Sequence, residues 1–435
     1  MNRFIAGIFV ALAVTTFTYG AELDLQSELG ELKSQVAALE NKMDGSGASN
    51  SADHHGVAVG YDDGFKISSG DQSLTINGWV MADFKGYEGS SPNNDTFSIR
   101  RARLEFNGRV SQHFAYSIQS EFAGTSSTLQ RVYLDYDQCK ALTIRVGQFT
   151  VPFGLENDEY TSRWVHFTER SLASSNLTPA DDVGVRVNGS LLGNKIVYAL
   201  SAVNGSGANA TDSNRRKTSL ARVVFQPRAD ADGCACQKMY IGGSYATGTE
   251  NGTIAGSTYT TASGTAFTTF ATGTSMNSTH LRAAGEMEWY LGPFMAGGEY
   301  IYSKRKDVTL GAAKDDLVSD AWYVGAAYML TGEDQVRSGA INPKNEFNTD
   351  NGTCGACEFH TRYERFDTEN KAFDNAYATG TKKVTATTAG FSWFPNVHVK
   401  LVADYIVNDF KDSITVSGVD LSKENAFITR VQFNY

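Results

Sequence analysis

From about residue 64 to residue 435 the chain is written in segments of roughly 8–12 residues in which apolar and polar side chains alternate. In Leu74–Phe84, one face carries Leu74, Ile76, Val80, Ala82 and Phe84, and the other Thr75, Asn77, Trp79, Met81 and Asp83. In Phe97–Phe106, Ala102, Leu104 and Phe106 oppose Arg101, Arg103 and Glu105. Val132, Leu134 and Tyr136 likewise oppose Arg131, Tyr133 and Asp135. A period of two is the mark of a strand with two unlike surroundings. Beyond the first residues, no run approaches the roughly 18 apolar residues of a membrane helix. Short connections (Gly108–His113, Asp137–Ala141, Leu191–Lys195, Gly292–Pro293, Pro395–Val397) alternate with long polar ones at 86–96, 204–216, 248–278, 304–318, 367–382 and 409–424. About sixteen strands joined by short turns at one end and long loops at the other predict an all-β fold, a transmembrane antiparallel β-barrel. Closure follows because an unpaired sheet edge cannot persist in lipid. The chain ends Ala426-Phe-Ile-Thr-Arg-Val-Gln-Phe-Asn-Tyr435, an amphipathic strand with Phe427, Val431, Phe433 and Tyr435 on one face. No blade repeat supports a propeller instead.

Residues 1–20 read as a secretory signal peptide: Asn2 and Arg3, an apolar run, then small residues near Gly20 and Ala21. In 21–43, Leu25, Leu29, Leu32, Val36 and Leu39 make an a/d seam. A coiled coil this short needs partner copies to persist. Residues 44–63, rich in Gly, Ser, Asp and His, read as a flexible linker, with His54-His55 solvated in it. The net charge of −10 argues against a nucleic-acid partner. The five cysteines are Cys139, Cys234, Cys236, Cys354 and Cys357. In an exported chain they suggest disulfides, with Cys234, Cys236, Cys354 and Cys357 as candidates and Cys139 left over. C-x-C and C-x-x-C without ligating His do not make a metal site, and no metal or other cofactor is expected.

The segments Phe97–Phe106, Arg145–Leu155, Trp164–Arg170, Asp182–Val185, Trp322–Glu333 and Phe391–Phe394 resemble the phosphate-selective porin O/P family of trimeric outer-membrane channels. The resemblance spans nearly all of 64–435 and implies a homotrimer in the outer membrane of a Gram-negative-type bacterium. It also implies that the loop after the fifth strand, about 154–182, folds into the pore and narrows it. In the family, Arg and Lys at the constriction replace the hydration of phosphate, since a guanidinium matches phosphate oxygens bidentately. Carried over, these positions are Arg100, Arg101 and Arg170; Arg103, Arg131 and Arg145 share the polar faces around them. Strict alternation points Arg100 outward, so it reaches the pore only through a bulge. The chain departs from the family at Trp79 (Arg there), at Asn157 (Lys there), followed by Asp158 and Glu159, and at Gln130 (Asp there).

Two pore readings follow. In one, small anions such as phosphate diffuse through an eyelet carrying Arg101, Arg103, Arg131, Arg145, Arg170 and Arg186. In the other, Asp158, Glu159 and Glu169 leave a general or weakly cation-leaning porin, with the coiled coil serving trimerisation or cell-wall contact. For any one arginine, the plain alternative is pairing with lumenal Asp83, Glu105, Glu121 or Asp135. A barrel enzyme is not expected, because the seven histidines fall in no nucleophile motif.

Overall fold

The computed structural model describes residues 56–61, 63–89, 91–179, 181–212, 214–227 and 238–435. The expected signal peptide and coiled coil, and Cys234 and Cys236, therefore lie outside the described residues.

Sixteen antiparallel strands close on themselves: β1 Gln72–Glu88, β2 Thr96–Ser111, β3 Phe114–Glu121, β4 Thr128–Cys139, β5 Leu142–Phe149, β6 Asp182–Leu191, β7 Ile196–Val203, β8 Thr218–Phe225, β9 Met239–Thr253, β10 Ser275–Leu291, β11 Phe294–Leu310, β12 Ala313–Met329, β13 Ala356–Thr368, β14 Lys383–Phe394, β15 Val399–Val416 and β16 Val419–Asn434. Closure is made between β16 and β1, in register from Asn425↔Glu88 to Asn434↔Trp79. Tyr435 completes it, since its amide donates to the Gly78 carbonyl at 3.0 Å and Gly78 donates back at 2.9 Å. On β16, Phe427, Val431, Phe433 and Tyr435 point outward and stay exposed, while Arg430 and Gln432 are buried inside. The outer surface is apolar for the same reason throughout, with Val146, Leu134, Val324, Phe359 and Phe391 exposed. Lipid replaces water against that band.

Three features depart from the sequence expectation. Residues 58–61, placed in the linker by composition, form a strand that pairs with Phe65–Ser69, which in turn pairs with the start of β1. The stretches 304–318 and 409–424 are not loops. They are the ends of β11–β12 and β15–β16, continuing past the wall as hairpin arms with tight turns at 311–312 and 417–418. Their Val308, Leu317, Ile414 and Leu421 are buried in a cluster with Phe267, Phe270 and Tyr377 from the neighbouring loops. That apolar payment explains why Gly- and Asp-rich segments still hold strand geometry. Finally, the long connection 330–355 on the short-turn side folds back on the barrel. Ile341 packs on Met329, Ala356 and Phe394, and Arg337 pairs with Glu159 and Glu288.

Candidate functional site

The β5–β6 connection leaves the wall at Thr150 and crosses the lumen. Gly154 makes the turn with φ +76°, where a Cβ would sit 2.8 Å from the Glu299 carboxylate. Glycine is required there, and the same carboxylate accepts the Leu155 amide at 2.8 Å. Two short helices follow, α1 Leu155–Asp158 and α2 Leu172–Leu177, the second capped by Ser171, whose hydroxyl accepts the Ser174 amide at 3.1 Å. Phe149, Val151, Phe153, Leu172 and Leu177 pin this loop into the apolar cluster at the loop end of the barrel.

The rest of the loop is bound to the far wall by charge. Thr168 donates its amide and hydroxyl to Asp404 at 2.7 and 2.8 Å, and Leu172 donates its amide to Glu364 at 2.6 Å. Lys400 donates to the Val165 carbonyl at 2.8 Å, and Arg362 donates to the Glu169 carbonyl at 3.2 Å. His166 meets Glu358 at 3.1 Å. The loop is thus tied to β11, β13 and β15, and the opening that remains lies between it and the wall of β1, β2 and β4.

That opening holds a cavity of about 530 Å³. Lys85, Arg100, Arg101, Arg103 and Arg131 line it from the wall, and Asn157, Ser162, Glu169 and Arg170 from the loop. A bulge in β2 makes the arrangement possible: Met81 pairs with Arg101 but Ala82 with Ile99, so Arg100 is the extra residue. The bulge turns Arg100 inward beside Arg101, as alternation alone forbids. Arg100 then grips Glu169 with Nε at 2.5 Å and Nη2 at 2.9 Å. Arg430, which strand periodicity places inward but which no motif marked, holds Asp83 at 2.7 Å and Glu169 at 3.1 Å. Arg103 holds Glu121 at 2.9 Å, leaving Arg101 only a 3.9 Å approach to the same carboxylate. Among the described residues Arg131 and Arg170 make no ion pair, and the Nε of each is buried without a partner; Arg170 donates only to the Tyr160 carbonyl, at 3.0 Å. Seven cations (Lys85, Arg100, Arg101, Arg103, Arg131, Arg170, Arg430) thus face four carboxylates (Asp83, Glu121, Glu169, Asp181). Glu169 sits on the loop rather than in a strand. Burial there raises its pKa, but the Arg100, Arg430 and Arg101 charges outweigh that and hold it at about 2.

Of the three carboxylates expected to favour cations, Glu169 lines the cavity but Asp158 and Glu159 do not. Asp158 is held by Arg186 at 2.6 Å and Arg222 at 3.1 Å, and Glu159 by Arg337 at 3.1 Å and Arg222 at 3.4 Å. Repulsion from both would reach roughly 2–3 kcal/mol per unit charge if they were bare; three arginines cancel it. Arg145 does not join the cavity lining either, being paired with Asp135 at 2.8 Å over the Tyr133 ring. Trp79 is also away from the opening, 1% exposed, with the guanidiniums of Arg103 and Arg163 at 5.5 and 5.0 Å from its ring centroid. Gln130 lines the cavity and accepts from Arg103 at 3.2 Å. Asn157 lines it too, but its amide is turned to the Phe153 carbonyl at 3.3 Å. Cys139, Cys354 and Cys357 are free thiols. No cluster of metal-ligating side chains occurs among the described residues.

The sequence model of the family described as phosphate-selective porin O and P matches residues 74–435. The chain belongs to this family. Porin O of Pseudomonas aeruginosa is 26% identical over 418 residues, covering 85% of this chain and 90% of that protein. Two solved barrels share the fold. The outer-membrane channel DcaP of Acinetobacter baumannii superposes with a TM-score of 0.55 at 14% identity, over 86% of this chain and 99% of that one. OmpT of Vibrio cholerae, in its trimer form, superposes at 0.52 and 13% identity, over 84% and 99%. This porin is accordingly a channel of the Gram-negative outer membrane through which small hydrophilic solutes diffuse passively, and the family is one of channels rather than enzymes.

Proposed function

We propose that this porin passes small anions, with phosphate and related oxyanions held at Arg101, Arg131 and Arg170. The observation that carries the reading is the pairing pattern. Of the cations around the cavity, Arg101, Arg131 and Arg170 make no ion pair closer than 3.9 Å, and Lys85, which makes none either, donates to the Ser263 carbonyl at 3.2 Å, whereas Asp158 and Glu159 are each held by arginines that do not line the cavity. A buried guanidinium without a counter-charge favours an anion that supplies one. The lining is mobile-ion territory rather than a tight cage, so it favours passage over retention. The working unit is a homotrimer, in keeping with the trimer form of the similar OmpT barrel. The coiled coil expected over 21–43 strengthens that trimer or touches the cell wall, and no disulfide is assigned to Cys354 or Cys357, which the structure leaves as free thiols against the sequence expectation.

The test is the reversal potential of purified protein in a planar bilayer under a potassium chloride gradient, repeated with added phosphate. A chloride-directed potential, with chloride conductance blocked by phosphate and the block weakened in Arg131→Ala and Arg170→Ala, is the expected result. A potassium-directed potential, or no block by phosphate, would overturn it.

A further inference from the structure

We infer that the outer wall of the barrel holds a phosphorylated lipid of the outer leaflet in a lysine-lined groove at its loop end. The groove, of about 470 Å³, crosses β12 to β15 and is bordered by Asp320, Asp367, Glu369, Lys382, Lys383 and Lys411. It opens away from the lumen. On these strands Ala321, Phe366, Val384 and Phe410 are buried inward, so Asp320, Asp367, Lys383 and Lys411 share the outward face with the exposed Val324, Tyr363 and Tyr405. Register lays the charges side by side. Asp320 stands opposite Asp367, Asp367 opposite Lys383, and Lys383 one step beyond the Val384↔Phe410 pair, next to Lys411.

The height of this row on the wall decides what it meets. Lys383 and Trp393 lie on one face of β14, and Lys411 and Leu401 on one face of β15. Each pair is separated by about ten residues, the length of one tilted membrane span. Trp393 and Leu401 start the apolar band at the short-turn end, so the lysines stand at its opposite rim. They lie just beyond the level of Tyr300 and Trp322, which pair across β11 and β12. Aromatic side chains mark the interface where headgroups replace acyl chains, and the long loops face outside. The charges there are not balanced within the protein. Arg365 holds Asp367, and Glu369 accepts the Val318 amide at 2.9 Å. Lys382, Lys383 and Lys411 make no ion pair among the described residues. Like charges abreast on neighbouring strands are destabilising, and an anion between them reverses that cost. Asp320, the acid left bare, lies two strands from Lys383, roughly 10 Å away. A lipid phosphate suits the whole surface, with the phosphate on the lysines and the acyl chains against the apolar band beneath. A soluble anion would use the lysines alone.

The experiment measures, by native mass spectrometry of the purified full-length porin in detergent, the binding of lipid A (a phosphorylated glycolipid), of its dephosphorylated form and of inorganic phosphate. Wild type is compared with the Lys383→Gln, Lys411→Gln double variant. The variant is expected to need about ten- to thirty-fold more lipid A for half-saturation, from the roughly five-fold that each lysine near an anionic surface contributes. The dephosphorylated lipid is expected to bind both proteins alike, at the variant's level. Single-channel conductance stays at the wild-type value in the variant, because neither lysine faces the lumen. Equal binding of lipid A by wild type and variant would overturn the inference, as would equal binding of the two lipids by wild type. If inorganic phosphate displaces lipid A at equal concentration, the groove takes a free anion and the lipid is ruled out. None of these results bears on the anion reading of the pore, which rests on other residues.

Discussion

Glu169 is the carboxylate through which the inward loop meets the basic wall, and Glu169→Gln isolates its effect on permeation. The loop stays in place in this variant, because the Glu169 carbonyl still accepts from Arg362 and the flanking Thr168 still binds Asp404. Arg430 keeps Asp83 as a partner. Arg100 loses the carboxylate it grips at 2.5 Å and is released toward the cavity. One negative charge some 6 Å from a passing ion is worth about 0.7 kcal/mol in bulk water and up to twice that in confined water. Screening at 0.1 M salt removes roughly half. The anion gains this and the cation loses it, so the permeability ratio shifts by about 0.8–1.5 kcal/mol, or four- to ten-fold toward chloride. The assay is the reversal potential under a chloride gradient, with heat-modified gel migration as the check that the barrel is folded. An unchanged ratio would remove Glu169 from the solute path, and a shift toward potassium would contradict the whole charge balance. The pH dependence is fixed too. A carboxyl held at about 2 stays ionised above that value, so the difference between wild type and variant persists from pH 8 to pH 4. It closes only as the pH nears 2. Closure near the ordinary carboxylate range would refute the ion pairs with Arg100 and Arg430.

Arg222 joins Glu286 at 2.5 Å and Asp158 at 3.1 Å in a buried cluster, so Arg222→Met leaves the buried Glu286 unpaired, while Asp158 keeps Arg186, and is expected to cost about 3–5 kcal/mol of barrel stability. The drop in the thermal unfolding midpoint, together with noisier single-channel current as α1 loosens, would record it. Trp79→Arg restores the residue of the phosphate channels, but it places a third guanidinium beside Arg103 and Arg163; a lowered urea midpoint with no stronger phosphate block is expected, and a tighter block would show that position 79 reaches the solute. Removing residues 22–43 should leave single-channel conductance unchanged while lowering the dissociation temperature of the trimer or its retention with cell wall, and unchanged values of both would end that role for the coiled coil.

The strands were legible because period two is enforced by lipid on one side and water on the other: Asn77, Trp79, Met81 and Asp83 are all buried inward as alternation requires. Arg100 was legible only as a conflict. Alternation and motif disagreed about it, and the bulge at Arg100, between Ile99 and Arg101, settles the disagreement. The charge balance was not legible, because the partners are distant in sequence. Asp158 reads as a bare acid until Arg222, sixty-four residues on, is placed beside it, and Arg430 is separated from Asp83 by most of the barrel. Loop composition misled at 304–318 and 409–424 for a related reason. The residues that hold those arms as strands, such as Phe267 and Tyr377, belong to other loops.

A chain with a net charge of −10 builds a basic opening by choosing where its acids go. The far wall supplies Glu299, Glu358, Glu364 and Asp404, and each is spent on loop amides, hydroxyls or His166. These bonds serve two ends at once. They satisfy the backbone of an irregular segment at membrane depth, which lipid could not do, and they turn negative charge away from the solute. The near wall meets the loop through Arg100 and Arg430 on Glu169, so there the anchoring groups are cations and arginines outnumber acids. If the loop were held by apolar contacts alone, the acids of the far wall would have no amides to satisfy and would face the lumen, and selectivity would follow the net charge of the chain. Selectivity here follows from how the loop is fastened, and for that reason variants at the fastening residues should alter ion preference even where they never touch an ion.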